Sequence, residues 1–480
     1  MDKLFRMAQE SGEAYFLSTE LVSISFVSGL SSVRLLTMSS TLFKDLSQRG
    51  IVYQATDPSI EKHLDQPRTL YCGFDPTADS LHVGSLFPLL TLRRFQQAGH
   101  TPIVVLGGAT GMIGDPSFKA QERSLLTLDQ IAINLEGIRQ VAARFLDFTP
   151  GLKNAAIIIN NFEFYEHMNV LTFLRDIGKH FTVNHMMGKD SVKSRMEDRD
   201  QGISYTEFSY MLLQGYDFYS LYKRNHCSIQ IGASDQWGNI TAGTELIRRK
   251  EAHARLSEGV HAGAPDKDEH PAYGLTHPLI TKSDGGKFGK SESGTVWLSG
   301  HKTSPYQFYQ FFISSPDDRV ITWLNYLTFL PRDEILRLEA CLKTEPGKKE
   351  AQLTLARELT KLVHGEEAYH RAENATRALF GTEIKTLDLQ TLNEVFSDTP
   401  STVKSWAELD VGIPLVDLLA DVGLFQSKGA ARKEIPAGGV YLNNERVTDA
   451  AFTVKREHLL AGQALVLRKG KKNYHLVKFN

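Results

Sequence analysis

The pattern of apolar and polar positions changes character twice along the 480 residues of this chain. From Tyr71 onward, short apolar runs such as TPIVVL (101–106), AAIII (155–159) and SIQIG (228–232) alternate with longer stretches of helical period. That alternation predicts βαβ units around a parallel sheet, the α/β class. Glycine-bearing loops follow two of the runs, GGATGMIGDPS after Leu106 and GASDQWGN after Ile231, where an open α/β sheet holds its ligand. From about Thr303 only helical patterns remain. Ser304 and Pro305 supply a start signal, and AQLTLARELTKLVHG is an amphipathic stretch stopped by Gly365. Residues 381–410 hold no sustained period and read as a linker. Beyond Val411, two short helical patterns precede the strand-like runs GVYLN and ALVLRKG. The expected architecture is an α/β, doubly wound parallel-sheet domain over 38–302, a helical domain over 303–380, that linker, and a small α+β domain over 411–480.

Composition narrows the function classes. With 41% hydrophobic and 23% charged residues the chain can bury a large core, which excludes a disordered or fibrous protein. No window holds eighteen apolar residues without a charge, so a membrane span is not expected. Cys72, Cys227 and Cys341 show neither metal-site spacing nor the density of a disulfide framework, which suits a reducing compartment. The first 37 residues carry Lys3, Arg6 and Arg34 against Asp2, Glu10, Glu13 and Glu20, too acidic for a transit peptide. They read as a dispensable extension or a mis-assigned start, with Met38 opening the ordinary sequence. Charge is unevenly placed: residues 425–480 sum to +7, the preceding 424 to −9. A basic module on an acidic body suits a polyanionic partner, with a solvated charged face as the plain alternative.

Three segments carry candidate chemistry. YCGFDPTADSLHVGS (71–85) leads into a helical pattern stopped at Gly99, placing His82 in a first helical turn. Free N–H groups and the positive dipole end there suit phosphate oxygens, and Gly84 leaves the approach open. A lone His-x-Gly is more often a capped helix start. KSDGGKFGKSES (282–293) sets Lys282, Lys287 and Lys290 on a polar loop between the strand-like runs PLI and TVWL, where lysines can neutralise charge developing on phosphates. It is no Walker loop, since the first glycine position is Asp284, and GGATGMIG lacks the Gly-x-Gly of a dinucleotide fingerprint. The bland alternative is a charged hairpin. SYTEFSYMLLQGYDFYSLYKR (204–224) puts Tyr210, Gln214 and Asp217 on one helical stripe, able to hold ammonium and hydroxyl groups if it faces a pocket and idle if it faces solvent. Asp235 and Gln236 follow at a strand end.

Together and in this order these segments resemble the class I aminoacyl-tRNA synthetases, in particular the bacterial-type tyrosyl-tRNA synthetases, over about residues 40–480. HVGS is similar to that family's HIGH motif and KFGKS to its KMSKS motif, while YCGFDPTADS, GGATGMIGDPS, TEFSYMLLQGYDF and SDQWGN resemble its tyrosine-specific elements. The resemblance implies that the first domain binds nucleotide and that the last is a small basic RNA-binding domain, with tRNA contacts at Lys428, Arg432, Lys433, Lys471 and Lys472. It implies a tyrosine site in which Tyr210, Gln214 and Gln236 surround the amino group, with Tyr71 and Asp115 nearby and Asp217 meeting the phenol. It implies that Gly73, Asp75, Thr77, His82, Gly84, Gly232 and Asp235 contact ATP or the adenylate. Lys119, Arg123, Lys287 and Lys290 would hold pyrophosphate, with Ser291 completing the catalytic loop. ATP with Mg2+ would be a substrate, no cofactor would be tightly bound, and the protein would be a homodimer serving tRNA(Tyr). The expected compartment is the cytoplasm, with a mitochondrion or plastid as the alternative.

The chain departs from the family pattern at Ser85, where a second histidine is usual, at Gly232-Ala233, where paired glycines are usual, and in a polar insertion near 257–274. Two rivals remain at this point: an RNA-binding descendant without activity, and another adenylyl-transferring enzyme of the same fold.

Overall fold

A computed structural model describes residues 39–115, 126–189, 202–257, 271–281, 294–380, 382–396, 399–470 and 473–480, with positions 192, 193, 196, 288, 290 and 291. The expected extension 1–37 and most of the insertion lie outside the described residues. Six strands form the main sheet: β1 (Gln54–Ala55), β2 (Thr69–Phe74), β3 (Thr101–Leu106), β4 (Ile157–Asn160), β5 (Cys227–Ala233) and β6 (Tyr273–His277). Their order is β1-β6-β5-β2-β3-β4, parallel throughout except for β1, which is antiparallel to β6. The chain builds outward from β2 through β3 and β4, then crosses to the other side for β5 and β6. The topological switch therefore falls between β2 and β5, and a ligand crevice belongs beyond their carboxyl ends.

Alternation along the central strands serves two cores. Leu70, Cys72, Phe74, Val104 and Leu106 join the cluster containing helix Leu86–Gln97, while Tyr71, Ile103 and Val105 join Phe218, Leu221, Leu246 and Ile247 of helices Tyr205–Asn225 and Trp237–Ser257. Burial on both faces is what the near-continuous apolar run of β3 signals. β2 and β6 are not signalled so clearly, because β2 mixes Cys72 and Gly73 with its apolar positions and β6 buries Thr276 and His277. The runs PLI and TVWL are not strands as expected. Pro278–Ile280 is irregular, and the second run yields only β8 (Gly294–Thr295), paired with β7 (Lys290–Ser291), and a bridge from Trp297 to His82.

The helical region contains Pro305–Ile313, Asp317–Leu327, Arg332–Thr344, Glu350–His364 and Glu366–Phe380. Its first helix has the expected start: Ser304 and Gln307 form a capping box with Pro305 at the first helical position. The region shares the main core, with Phe87 stacked on Tyr326 at 4.8 Å.

Residues 381–410 are not an unstructured linker. They form helix Leu389–Val395, β9 (Ser401–Lys404) and much of helix Trp406–Val411, and β9 pairs in parallel with the last strand of the chain, Asn473–Phe479. A strand at the edge of a sheet needs no long period, which is why the pattern hid it. After β10 (Ile413–Pro414), the last module continues with helices Leu415–Asp421 and Lys428–Ala437, then β11 (Val440–Leu442), β12 (Glu445–Arg446), β13 (Thr453–Val454), β14 (Ala464–Lys469) and β15 (Asn473–Phe479). Its five-stranded sheet has the order β12-β11-β14-β15-β9.

Candidate active site

A cavity of about 670 Å3 opens at the switch point, lined by residues from the ends of β2 and β5, the turn 82–85 and helix Tyr205–Asn225. His82 is not within the first helical turn. It caps that turn in extended conformation, and its Nδ1 accepts the Gly84 N–H at 3.0 Å. This contact fixes the tautomer of a neutral ring: with Nδ1 accepting, the proton sits on Nε2 and can be donated outward. Gly84 is required locally, since a Cβ there would stand 2.7 Å from the His82 ring. Gly73 differs: nothing lies within 4 Å of where its Cβ would be, so its bare backbone borders open cavity space.

The stripe Tyr210, Gln214, Asp217 faces inward, with Tyr210 5% and Asp217 3% exposed, which removes the solvent alternative. Tyr210 Oη donates to Asp75 Oδ2 at 3.0 Å, and Thr110 Oγ1 donates to Asp75 Oδ1 at 2.8 Å. Asn161 Nδ2 bridges Thr110 Oγ1 (3.0 Å) and Asp217 Oδ2 (2.8 Å), and Tyr165 Oη reaches Asp217 Oδ1 at 2.8 Å. One hydrogen-bonded chain thus runs from Asp75 to Asp217. Burial drives the Asp217 carboxyl from 3.8 up to about 8, against the opposing bonds from Asn161 and Tyr165. Burial and then the Asp217 charge push the Tyr71 phenol well above its ordinary value. Tyr71 Oη and Gln214 Oε1 are buried without hydrogen-bond partners. Thr110, Asn161 and Tyr165 were not singled out in the sequence. The only signal for Asn161 was its place just beyond an apolar strand.

On the β5 side, Gln236 Nε2 donates to Asp115 Oδ2 at 2.8 Å. Burial, then the nearby Asp115, raises the Asp235 carboxyl to about 6, and its Oδ1 is buried without a partner. Gly232 gives the strand end close contact with the next turn, because its Cβ would meet Gln236 and Ile240 at 3.1 Å. Thr77 and Ser85 also line the cavity. Lys119, Arg123, Lys282 and Lys287 lie outside the described residues, as do Lys471 and Lys472. Lys290 and Ser291 form β7, next to Phe288, whose ring is buried against Trp323 at 4.7 Å. The Phe288 carbonyl oxygen is 3.9 Å from the Cβ position of Gly84, so the two signature segments meet at the cavity rim. In the last module Lys428 pairs with Asp417 at 3.1 Å, while Arg432 and Lys433 are exposed on the same helix.

Residues 62–381 match the family model for tRNA synthetases class I (W and Y), and residues 391–477 match the Tyrosine–tRNA ligase SYY-like C-terminal domain. Tyrosine–tRNA ligase from Geobacillus kaustophilus is 50% identical over 440 residues, 91% of this chain and 99% of that protein. The chain belongs to the class I tyrosine–tRNA ligase family. Tyrosine–tRNA ligase 1 of Bacillus subtilis is likewise 50% identical, over 92% of this chain and all of the relative. Among solved structures, a C-terminally truncated mitochondrial tyrosyl-tRNA synthetase from Aspergillus nidulans superposes with a TM-score of 0.62 at 30% identity, over 71% of this chain and 94% of the other. Membership in this family carries a class I nucleotide-binding fold with ATP as substrate, in agreement with the switch-point cavity described above. The second family match begins at residue 391, inside the segment first read as a linker.

Proposed function

We propose that this chain activates L-tyrosine with ATP, forming tyrosyl-adenylate and pyrophosphate, and then passes the tyrosyl group to the terminal adenosine of tRNA(Tyr). The observation that carries the reading is one end of the cavity, where the partnerless phenol of Tyr71 and the carboxyl of Asp217 are buried together. A substrate phenol would donate to Asp217 and accept from Tyr71. Tyr71 therefore belongs at the phenol end rather than beside the amino group, its first assignment. Buried groups left unpaired by a missing hydroxyl enforce specificity, and enzymes of this family are the reference case for that rule, rejecting phenylalanine by about 10⁵-fold. At the other end Tyr210, Gln214, Gln236 and Asp115 would receive the ammonium group.

The nucleotide would lie along Gly73, Asp75, Thr77, Gly84, Gly232 and Asp235, with His82 Nε2–H aimed at phosphate. Lys119, Arg123, Lys287 and Lys290, with Ser291, would neutralise the departing pyrophosphate. The tyrosine carboxylate attacks the α-phosphorus, forming the new O–P bond as the bond to the β-phosphate oxygen breaks. It needs no general base, being ionised at neutral pH, so the protein's contribution is positioning and charge stabilisation. Among the described residues no group of three or more His, Cys, Asp or Glu side chains could hold a metal ion. The fit is to a Mg2+ carried mainly by the nucleotide and water.

Arg432, Lys433, Lys471 and Lys472 would contact tRNA phosphates, joined by Lys428 once Asp417 releases it. A homodimer is supported by apolar side chains on two short helices, Val170–Asp176 and Val183–Met187, where Val170, Leu171, Leu174, Val183 and Met187 are exposed. No helix among the described residues is long and apolar enough to cross a membrane. The assignment to the cytoplasm is supported by the three cysteines, all free thiols, which suit a reducing compartment.

Tyrosine-dependent ATP/pyrophosphate exchange by protein beginning at Met38 tests the activity, with phenylalanine and tryptophan as controls. Exchange with tyrosine alone, lowered at least about tenfold by Lys290→Ala, is expected. Absence of exchange from folded, tRNA-binding protein would sink the enzyme reading and point to Ser85.

A further inference from the structure

A row of four side chains crosses the small sheet perpendicular to its strands. Arg446 on β12 stands opposite Tyr441 on β11, Tyr441 opposite Arg468 on β14, and Arg468 opposite Tyr474 on β15. Alternate residues Val440, Leu442 and Leu467 enter the module's core, so Tyr441 and Arg468 project from the other face. The Arg468 guanidinium lies 3.8 Å from the centre of the Tyr441 ring and 5.7 Å from that of Tyr474. Arg446 sits 5.7 Å from the Tyr441 ring centre, and its Nη2 donates to Tyr441 Oη at 3.3 Å. Arg468 Nη1 also donates to Gly470 O at 3.1 Å, a second point that fixes the guanidinium plane. None of the ion pairs of this module among the described residues, Lys404 with Glu408 and Asp421, Lys428–Asp417, Arg456–Asp410, His458–Glu457 and Lys385–Glu445, involves Arg446 or Arg468. Beside Tyr474 a second cavity of about 430 Å3 opens between Pro400, Gly423 and Leu424.

Two cations held against an aromatic ring, without carboxylates, on the most basic part of the chain suit a ligand that is both planar and anionic. Lysines on a helix attract phosphates but offer no flat surface. A guanidinium lying on a phenol ring offers a π plane and a positive charge at once, the combination that receives a base splayed out of its helix. A paired duplex keeps its base faces covered and could not use it.

We propose that Arg446, Tyr441 and Arg468 form a stacking platform for an unpaired nucleobase of the bound tRNA, closed at its inner end by Tyr474, whose ring packs against Phe396 at 5.8 Å. The inference rests on the reading of the C-terminal module as RNA-binding and adds to it a site for base recognition, distinct from the phosphate contacts on helix Lys428–Ala437.

Binding of a tRNA(Tyr) transcript to the full chain, measured at several salt concentrations, tests it with three variants. Arg468→Lys keeps the charge and removes the plane, Tyr441→Leu keeps an apolar group and removes the ring, and the double variant Arg432→Gln/Lys433→Gln removes phosphate contacts. Arg468→Lys and Tyr441→Leu should each weaken binding about tenfold without changing the slope of log affinity against log salt, while the double variant should flatten that slope. If Tyr441→Leu lowers the melting temperature of the module, Arg468→Lys alone decides. Wild-type affinity in Arg468→Lys overturns the platform, and the RNA-binding reading survives if the double variant still loses affinity. A chain that fails to bind the transcript at all overturns both.

Discussion

Asp217 holds a carboxyl with two hydrogen-bond donors and almost no water, and burial still wins, raising it to about 8. The folded chain therefore binds this proton more tightly than the unfolded chain. The stability it contributes is fully present below the ordinary carboxyl range and is lost as pH rises through about 8. In ligand-free protein Asp217→Asn should shrink the fall in urea midpoint between about pH 5 and about pH 8. Equal falls in both proteins would contradict a buried titrating acid. The same substitution should cut the preference for tyrosine over phenylalanine in exchange assays by at least about 100-fold, because either orientation of the amide turns its NH2 toward a donor, Asn161 or Tyr165, and breaks the bonds that hold the phenol's partner in place.

Helix Leu128–Ala142 shows how an element far from the chemistry holds the site. Its Asn134 donates to Pro76 O at 2.8 Å, and at Gly137 a Cβ would stand 2.0 Å from Asp79 O. The helix thus lies directly on the loop 75–80 that links β2 to His82. Since the clashing atom is backbone, Gly137→Ala must push loop and helix apart, costing about 1–3 kcal/mol in urea unfolding. An unchanged midpoint would show that the packing yields freely. At this scale the sequence was legible where one element decides its own conformation. The run TPIVVL became β3 residue for residue, and Ser304 with Pro305 started the expected helix. It was not legible where polar residues are buried by neighbours, as in β6, or where a short strand owes its existence to a partner, as in β9.

Over the whole molecule, basic charge is set apart, and one group of exposed apolar side chains clusters on two neighbouring helices of the chain. The basic excess gathers in the last 56 residues, and the large exposed apolar side chains of Val170–Asp176 and Val183–Met187 sit on the catalytic half. If a second copy covers the latter, Leu171→Asp should convert dimer to monomer in sedimentation at micromolar concentration, because a carboxylate cannot be buried there unpaired. A variant that still sediments as a dimer would move the interface elsewhere.

The sequence alone determined the order of the domains, the two glycine-bearing loops and which helical stripe carries Tyr210, Gln214 and Asp217, because period and local start and stop signals are properties of neighbouring residues. It also carried the family motifs, on which most of the functional reading rests. Only the tertiary structure decided that Tyr71 lies at the Asp217 end, that Asn161 and Thr110 join Asp75 to Asp217, and that Tyr441 and Arg468 share one face. These pairs come from strands and helices tens to hundreds of residues apart. Which such residues meet is set by strand order, register and the burial each environment imposes.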